Sequence, residues 1–210
     1  NCTSPANYFH ILRRQLLRDF RKPLIMMTPK STLRHKNNIS SISEFINGST
    51  FHRVLSNPLS AQQTKKIKRL VLCSGKIYFE LQDHINTLKN ENTHILRIEQ
   101  LYPFPYDTLE EEIKKFPDCE ILWCQEEPKN MGPWGFIRSR VQNVLKNIKS
   151  KQSSIPFVGR RAAASPATGV FDRHLANQKN ILRLAIEADM IEIQEEKAGV
   201  SLVKYKLPIE

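Results

Sequence analysis

Residues 68–105, KRLVLCSGKIYFELQDHINTLKNENTHILRIEQLYPFP, decide the fold. The run from Arg69 to Cys73 is a short apolar segment that stops at Ser74-Gly75, as a buried strand stops at a turn. Gly75 permits the unusual backbone angle that a tight strand-to-helix turn needs, and a helix over 76–89 follows. A second strand over 93–98 leads through the proline-punctuated LYPFP into a helix over 106–116. Strand and helix alternating at this spacing are βαβ crossovers, which imply a mostly parallel sheet with helices on both faces.

The same alternation continues toward the carboxyl end. A strand over 120–124 precedes the loop QEEPKNMGP (125–133), a helix over about 134–149, a short strand near Phe157 and a last helix over 172–187. Toward the amino end, Ser4 is placed to cap a helix that Pro5 opens and that runs to Phe20. Its Tyr8, Phe9, Leu12, Leu16, Leu17 and Phe20 recur at helical intervals, with Arg13, Arg14 and Arg18 on other faces, so it is amphipathic. Leu24 to Met27, bounded by Pro23 and Pro29, reads as a buried strand ending at a loop. Residues 30–65 are rich in Ser, Asn, Lys and Thr and read as a connecting region with one short helix. The fold class is therefore α/β, a three-layer arrangement around a mostly parallel sheet.

With 210 residues, 40% hydrophobic and 25% charged, the chain suits an α/β domain with an appendage. Its longest apolar runs fall far short of the roughly 20 residues a bilayer-spanning helix needs, so no membrane partner is expected. The start at Asn1 has no initiator Met, no basic-then-apolar leader and no Arg/Ser-rich presequence, and reads as cut from a longer chain. Cys2, Cys73, Cys119 and Cys124 lack metal-site spacing, and Cys73 and Cys124 end apolar runs as buried thiols do, which suits a reducing compartment. The net charge of +11 permits an anionic partner. Lys and Arg are spread along the chain and are not interleaved with aromatics, which argues against nucleic acid.

In such sheets the functional edge lies beyond the carboxyl ends of the strands, where residues 28–34, 74–76, 99–105 and 125–134 fall. The SGK at 74–76 resembles the end of a phosphate loop, but Leu70 stands where its first glycine would be. Gln125, Glu126 and Glu127 could in principle do acid/base work; neighbours on an extended chain point opposite ways, so an interface or hydrogen-bonding role is favoured over a catalytic dyad. The six histidines assemble into no nucleophilic set, and His10 is expected to pack within its helix. Arg21, Lys22, Lys30, Arg34, Arg160 and Arg161 flank strand ends and turns, where they could hold phosphate or simply be solvated.

Five blocks carry a family resemblance: ANYFHILRRQLLRDFRKPLIMMTPKSTLRH (6–35), KRLVLCSGKIYFEL (68–81), ILRIEQLYPFP (95–105), ILWCQEEPKNMGPWGFIRSR (121–140) and FVGRRAAASPATG (157–169). In this order and spacing they resemble the end of the first, decarboxylating component of 2-oxoglutarate dehydrogenase, and share much with the 2-oxoadipate relatives. The resemblance runs from Asn1 to about Ala188 and implies a transketolase C-terminal-domain-like fold. It divides the chain into the last helix and strand of a pyrimidine-binding domain (1–30), the third, carboxy-terminal domain (31–188) and an unmatched tail (189–210). It implies a parent oxidoreductase of the tricarboxylic acid cycle that uses thiamine diphosphate and Mg2+ to decarboxylate 2-oxoglutarate and passes a succinyl group to a lipoyl arm. The family's metal motif and catalytic histidines belong to earlier domains, so this part is expected to be structural, with no catalytic residue, no metal and no cofactor of its own. Implied partners are the upstream domains of the same subunit, a second subunit in a homodimer, and the dihydrolipoyl succinyltransferase and dihydrolipoyl dehydrogenase of the complex. The implied location is bacterial cytoplasm or mitochondrial matrix. Family members also bind nucleotide-like effectors, and only Arg21 and Lys22 match that site here, which leaves a regulatory nucleotide or acyl-CoA module as the alternative reading.

Overall fold

The computed structural model describes residues 1–189, so all but the first residue of the unmatched tail lies outside the described residues. Five strands, β1 (Val54–Ser56), β2 (Arg69–Cys73), β3 (Thr93–Ile98), β4 (Glu120–Pro128) and β5 (Phe157–Arg160), form one sheet in the order β1-β3-β2-β4-β5. All neighbours are parallel except β1, which runs antiparallel to β3. The helices are α1 (Pro5–Leu17), α2 (Ala61–Lys66), α3 (Ile77–Leu88), α4 (Tyr106–Lys114), α5 (Trp134–Asn147) and α6 (Phe171–Ile186).

Alternation along the central strands builds two cores. Leu70, Leu72, Leu96, Ile98, Ile121 and Trp123 pack against α4 and α5. Val71, Cys73, Ile95, Leu122 and Cys124 face the other way, against α3 and α6. β2 and β3 are buried along their whole length, which is why their sequences read as near-continuous apolar runs. This is the expected three-layer α/β arrangement. No helix among the described residues is long and apolar enough to cross a membrane.

Three expectations need correction. The segment 24–27 is not a buried strand: it has no regular structure, and Ile25 and Met27 are 80% and 87% exposed. An extended run becomes a strand only where a neighbour takes its backbone hydrogen bonds, and among the described residues none pairs with it. Residues 125–128 are not loop: β4 runs on to Pro128, with an irregular register between Cys124 and Pro128 where it follows β5. Polar side chains hid this extension, because pairing rather than hydrophobicity holds the strand there. Within 30–65 the connecting region contains β1 as well as α2, and a three-residue strand shows no alternation to read.

The amino-terminal helix forms as its cap predicts, with Ser4 Oγ accepting from the N–H of Asn7. Its packing runs against its composition. Ala6, Asn7 and His10 are buried, while Phe9, Leu12, Leu16 and Leu17 are exposed. His10 does pack, placing Nε2 2.8 Å from the carbonyl of Glu44.

Candidate functional site

The carboxyl ends of β2 and β3 are covered by the first residues of the chain. Gly75, at φ +82, makes the turn after β2, and Asn1 lies so close that a Cβ there would come within 2.6 Å of its side-chain nitrogen. Beyond β3, Glu99 is 1% exposed. Its Oε2 accepts from the N–H of Thr3 at 2.8 Å and from Nδ2 of Asn7 at 2.9 Å, and its Oε1 accepts from the Thr3 hydroxyl. The same Asn7 amide donates to the carbonyl of His52 and accepts from its N–H, both at 2.9 Å. Arg97, at 9% exposure, donates to Thr3 Oγ1 at 3.0 Å while its guanidinium lies 3.8 Å over the Tyr78 ring. Buried polar groups with this many partners fix one position of α1 on the sheet. A cavity of about 740 Å³ runs beside them, lined by Thr3, Asn38, Asn57, Tyr78, Arg97 and Glu112 among others.

At the end of β4, Gln125 is a buried hub. Its Oε1 accepts from Trp123 Nε1 at 2.9 Å and from the N–H of Trp134, at the start of α5, at 3.1 Å. Its Nε2 donates to the carbonyls of Met131 at 2.8 Å and of Glu127 and Pro128 at 3.2 Å. Glu126 takes a short ion pair from Lys76, which also reaches Glu80 at 3.3 Å. Burial opposes the charge on Lys76, yet the hydrogen bond and charge of Glu126, with help from Glu80, hold its pKa above the ordinary value. That lysine is engaged by carboxylates, unlike the lysine of a phosphate loop. Burial raises the pKa of Glu127, and the Glu126 charge adds to the rise. From Glu80 the network continues through Gln178, whose Nε2 donates at 2.7 Å, to Arg160, which donates to Gln178 Oε1 at 3.2 Å and to His174 Nδ1 at 3.0 Å.

This geometry holds parts in place and assembles no nucleophile with its base. Burial pushes the Cys73 thiol up to about 12 and Cys124 well above its ordinary value, which leaves little thiolate for chemistry. Among the described residues no group of three or more His, Cys, Asp or Glu side chains could hold a metal ion.

The basic candidates scatter. Arg21 and Lys22 lie exposed on the irregular segment after α1; Arg21 donates to the carbonyls of Arg18 and Phe20, and Lys22 sits 5.7 Å from the Phe20 ring. Lys30 and Arg34 occupy a single helical turn, both exposed. Arg160 and Arg161 share a cavity with Arg173, a residue that sequence reasoning missed. It also missed Glu99, Arg97, Thr3 and Asn7 as a group. The usable signal was an arginine inside an otherwise apolar strand with a carboxylate two residues on.

The chain matches the family model described as 2-oxoglutarate dehydrogenase C-terminal over residues 39–186. It is similar to the 2-oxoglutarate dehydrogenase E1 components of Brucella ovis and Brucella canis, each 50% identical over 194 residues that make up 89% of this chain and 19% of theirs. The chain thus spans about a fifth of the length of these curated relatives. Among solved structures, a split-gene transketolase described as an inactive β4 tetramer aligns with a TM-score of 0.41 and 14% identity, over 61% of this chain and 38% of that one.

Proposed function

Because the chain belongs to the 2-oxoglutarate dehydrogenase C-terminal family, we propose that it is the carboxy-terminal buttress of a thiamine diphosphate- and Mg2+-dependent subunit that decarboxylates 2-oxoglutarate or 2-oxoadipate. In this reading it houses no reactive centre, completes a homodimer, and supports domains that pass an acyl group to the lipoyl arm of a dihydrolipoyl succinyltransferase, within a complex that includes dihydrolipoyl dehydrogenase. Residues 1–30 belong with the preceding pyrimidine-binding domain and 31–188 form the third domain. The Gln125–Glu126–Glu127 end of β4 serves hydrogen bonding within and between domains.

One observation carries the reading: α1 buries Asn7 and His10 against the sheet and turns Phe9, Leu12, Leu16 and Leu17 outward. A helix with its polar side inward is built to be covered by more protein on its apolar side. The exposed Leu24, Ile25 and Met27 extend the same surface.

Complementation tests it. The 210-residue chain should show no decarboxylation of 2-oxo acids alone and should restore turnover when mixed with the folded upstream domains of a relative; carbon dioxide release by the isolated chain, or no restoration with folded partners, would overturn the reading. A regulatory role through Arg21 and Lys22 is the second reading, favoured by their solvent-facing side chains, and heat of adenine-nucleotide binding that is unchanged in Lys22→Ala would remove it.

A further inference from the structure

The 157–169 block contributes a feature that the buttress role does not use. Between the segment after β5 and one side of α6 lies a cavity of about 440 Å³, lined by Arg160, Arg161, Arg173, Asn177, Ser165 and Thr168 together with small alanines and Gly169. That volume falls in the range of small-molecule sites.

Among the described residues no ion pair joins a carboxylate to the arginines of this cavity. Arg160 donates to two neutral acceptors, Gln178 Oε1 and His174 Nδ1, and its Nε is buried with no partner among the described residues. Arg161 and Arg173 make no ion pair among the described residues. Glu127 is near enough to feel the charge of Arg160, but no ion pair joins them. Three guanidiniums around one space repel each other, and an anion in the cavity relieves that repulsion.

The walls are also held. Gln178, which orients Arg160, is itself fixed by Glu80 at 2.7 Å. Asn130 grips the backbone of Ala163 from both sides, at 3.0 and 3.1 Å, and the Ser165 hydroxyl donates to the carbonyl of Ala167 at 2.7 Å. A preorganised set of separate cationic donors, one below and two at the rim, suits a tetrahedral dianion better than a planar carboxylate. We propose that the Arg160–Arg161–Arg173 cavity binds the phosphate group of a small phosphate ester. The proposal stands on this chain's own residues and is independent of the buttress role.

The test is calorimetric titration of the full chain with inorganic phosphate at constant ionic strength, with chloride and succinate as separate arms. Arg161→Gln and Arg173→Gln change exposed rim residues and leave the network beneath Arg160 in place. Each is expected to weaken the phosphate affinity about tenfold, the loss of one charge-assisted contact. Arg21→Gln and Lys22→Gln should change nothing. Crystals soaked in selenate should show the anion in the cavity, within hydrogen-bonding reach of the Arg161 and Arg173 guanidiniums. Phosphate heat no larger than that of chloride, rim variants that bind as the wild type does, or an equal loss in the Arg21 and Lys22 variants would overturn the site. Succinate binding as tightly as phosphate would overturn the assignment to a phosphate ester.

Discussion

The N–H of Thr3 donates to Oε2 of Glu99 at 2.8 Å, fastening the start of the chain to the end of β3 across 96 positions of sequence. With Asn7 and Arg97 in the same cluster, this buried carboxylate decides where α1 sits, and hence which way its apolar side faces.

Glu99→Ala leaves the Thr3 N–H and hydroxyl and the Asn7 amide without their acceptor inside a buried cluster. Losing a buried carboxylate with several donors is expected to cost about 3 kcal/mol, read as a lower urea midpoint. Glu99→Gln keeps the shape and one acceptor oxygen, and should cost roughly half as much. Proteolysis at Arg13 and Arg14 should quicken in both. An unchanged midpoint in Glu99→Ala would show that the knot does not anchor the helix.

Gln125 discriminates between a holding role and a reactive one. Its Nε2 donates to three carbonyls, so Gln125→Glu replaces those donations with repulsion, beside Glu126 and Glu127. A loss of about 3 kcal/mol is expected, with altered Trp123 emission because that indole N–H shares the hub. Full stability of Gln125→Glu at neutral pH would contradict the hub.

His94 makes stability depend on pH. Burial lowers its pKa from 6.5 to about 4, while Glu112 pulls it up and Lys115 pulls it down. The unfolded chain therefore takes up the proton first as pH falls. The contribution of the neutral imidazole is complete above about pH 6.5 and is lost as pH drops toward 4, by about 3 kcal/mol in all. The raised pKa of Glu127 acts with the opposite sign, so the measurement is a difference: urea midpoints from pH 7 to 4 should fall less steeply in His94→Gln than in the wild type. Parallel profiles would refute the assignment.

The layered sheet was legible because β2, β3 and the apolar part of β4 are buried on both faces, and only apolar runs of strand length satisfy that condition. The end of β4 was not, since Gln125 to Pro128 belong to the strand through backbone pairing while their side chains serve hydrogen bonds and ion pairs. The segment 24–27 misled for the opposite reason. Its residues are apolar but exposed, with no strand partner among the described residues, and hydrophobicity alone does not say whether a neighbouring strand pairs with such a run. The Glu99 cluster joins residues 3, 7, 97 and 99, a long-range contact that no local spacing encodes. Arg160 and Arg161 were legible as cations at a strand end, but Arg173 joins them only through the placement of α6.

The outward apolar side of α1 gives the last expectation. Leu16 and Ile25 are 75% and 80% exposed and touch no core, so Leu16→Gln and Ile25→Gln should leave the unfolding midpoint of the isolated chain within about 0.5 kcal/mol of the wild type. If other domains cover this surface, the same substitutions bury an amide without a partner there, which costs about 1–3 kcal/mol per site and weakens association by tenfold or more. The two measurements separate fold from docking. Stability preserved with complementation lost places Leu16 and Ile25 in the interface, whereas variants that complement as well as the wild type show that the apolar side of α1 faces water in the whole protein.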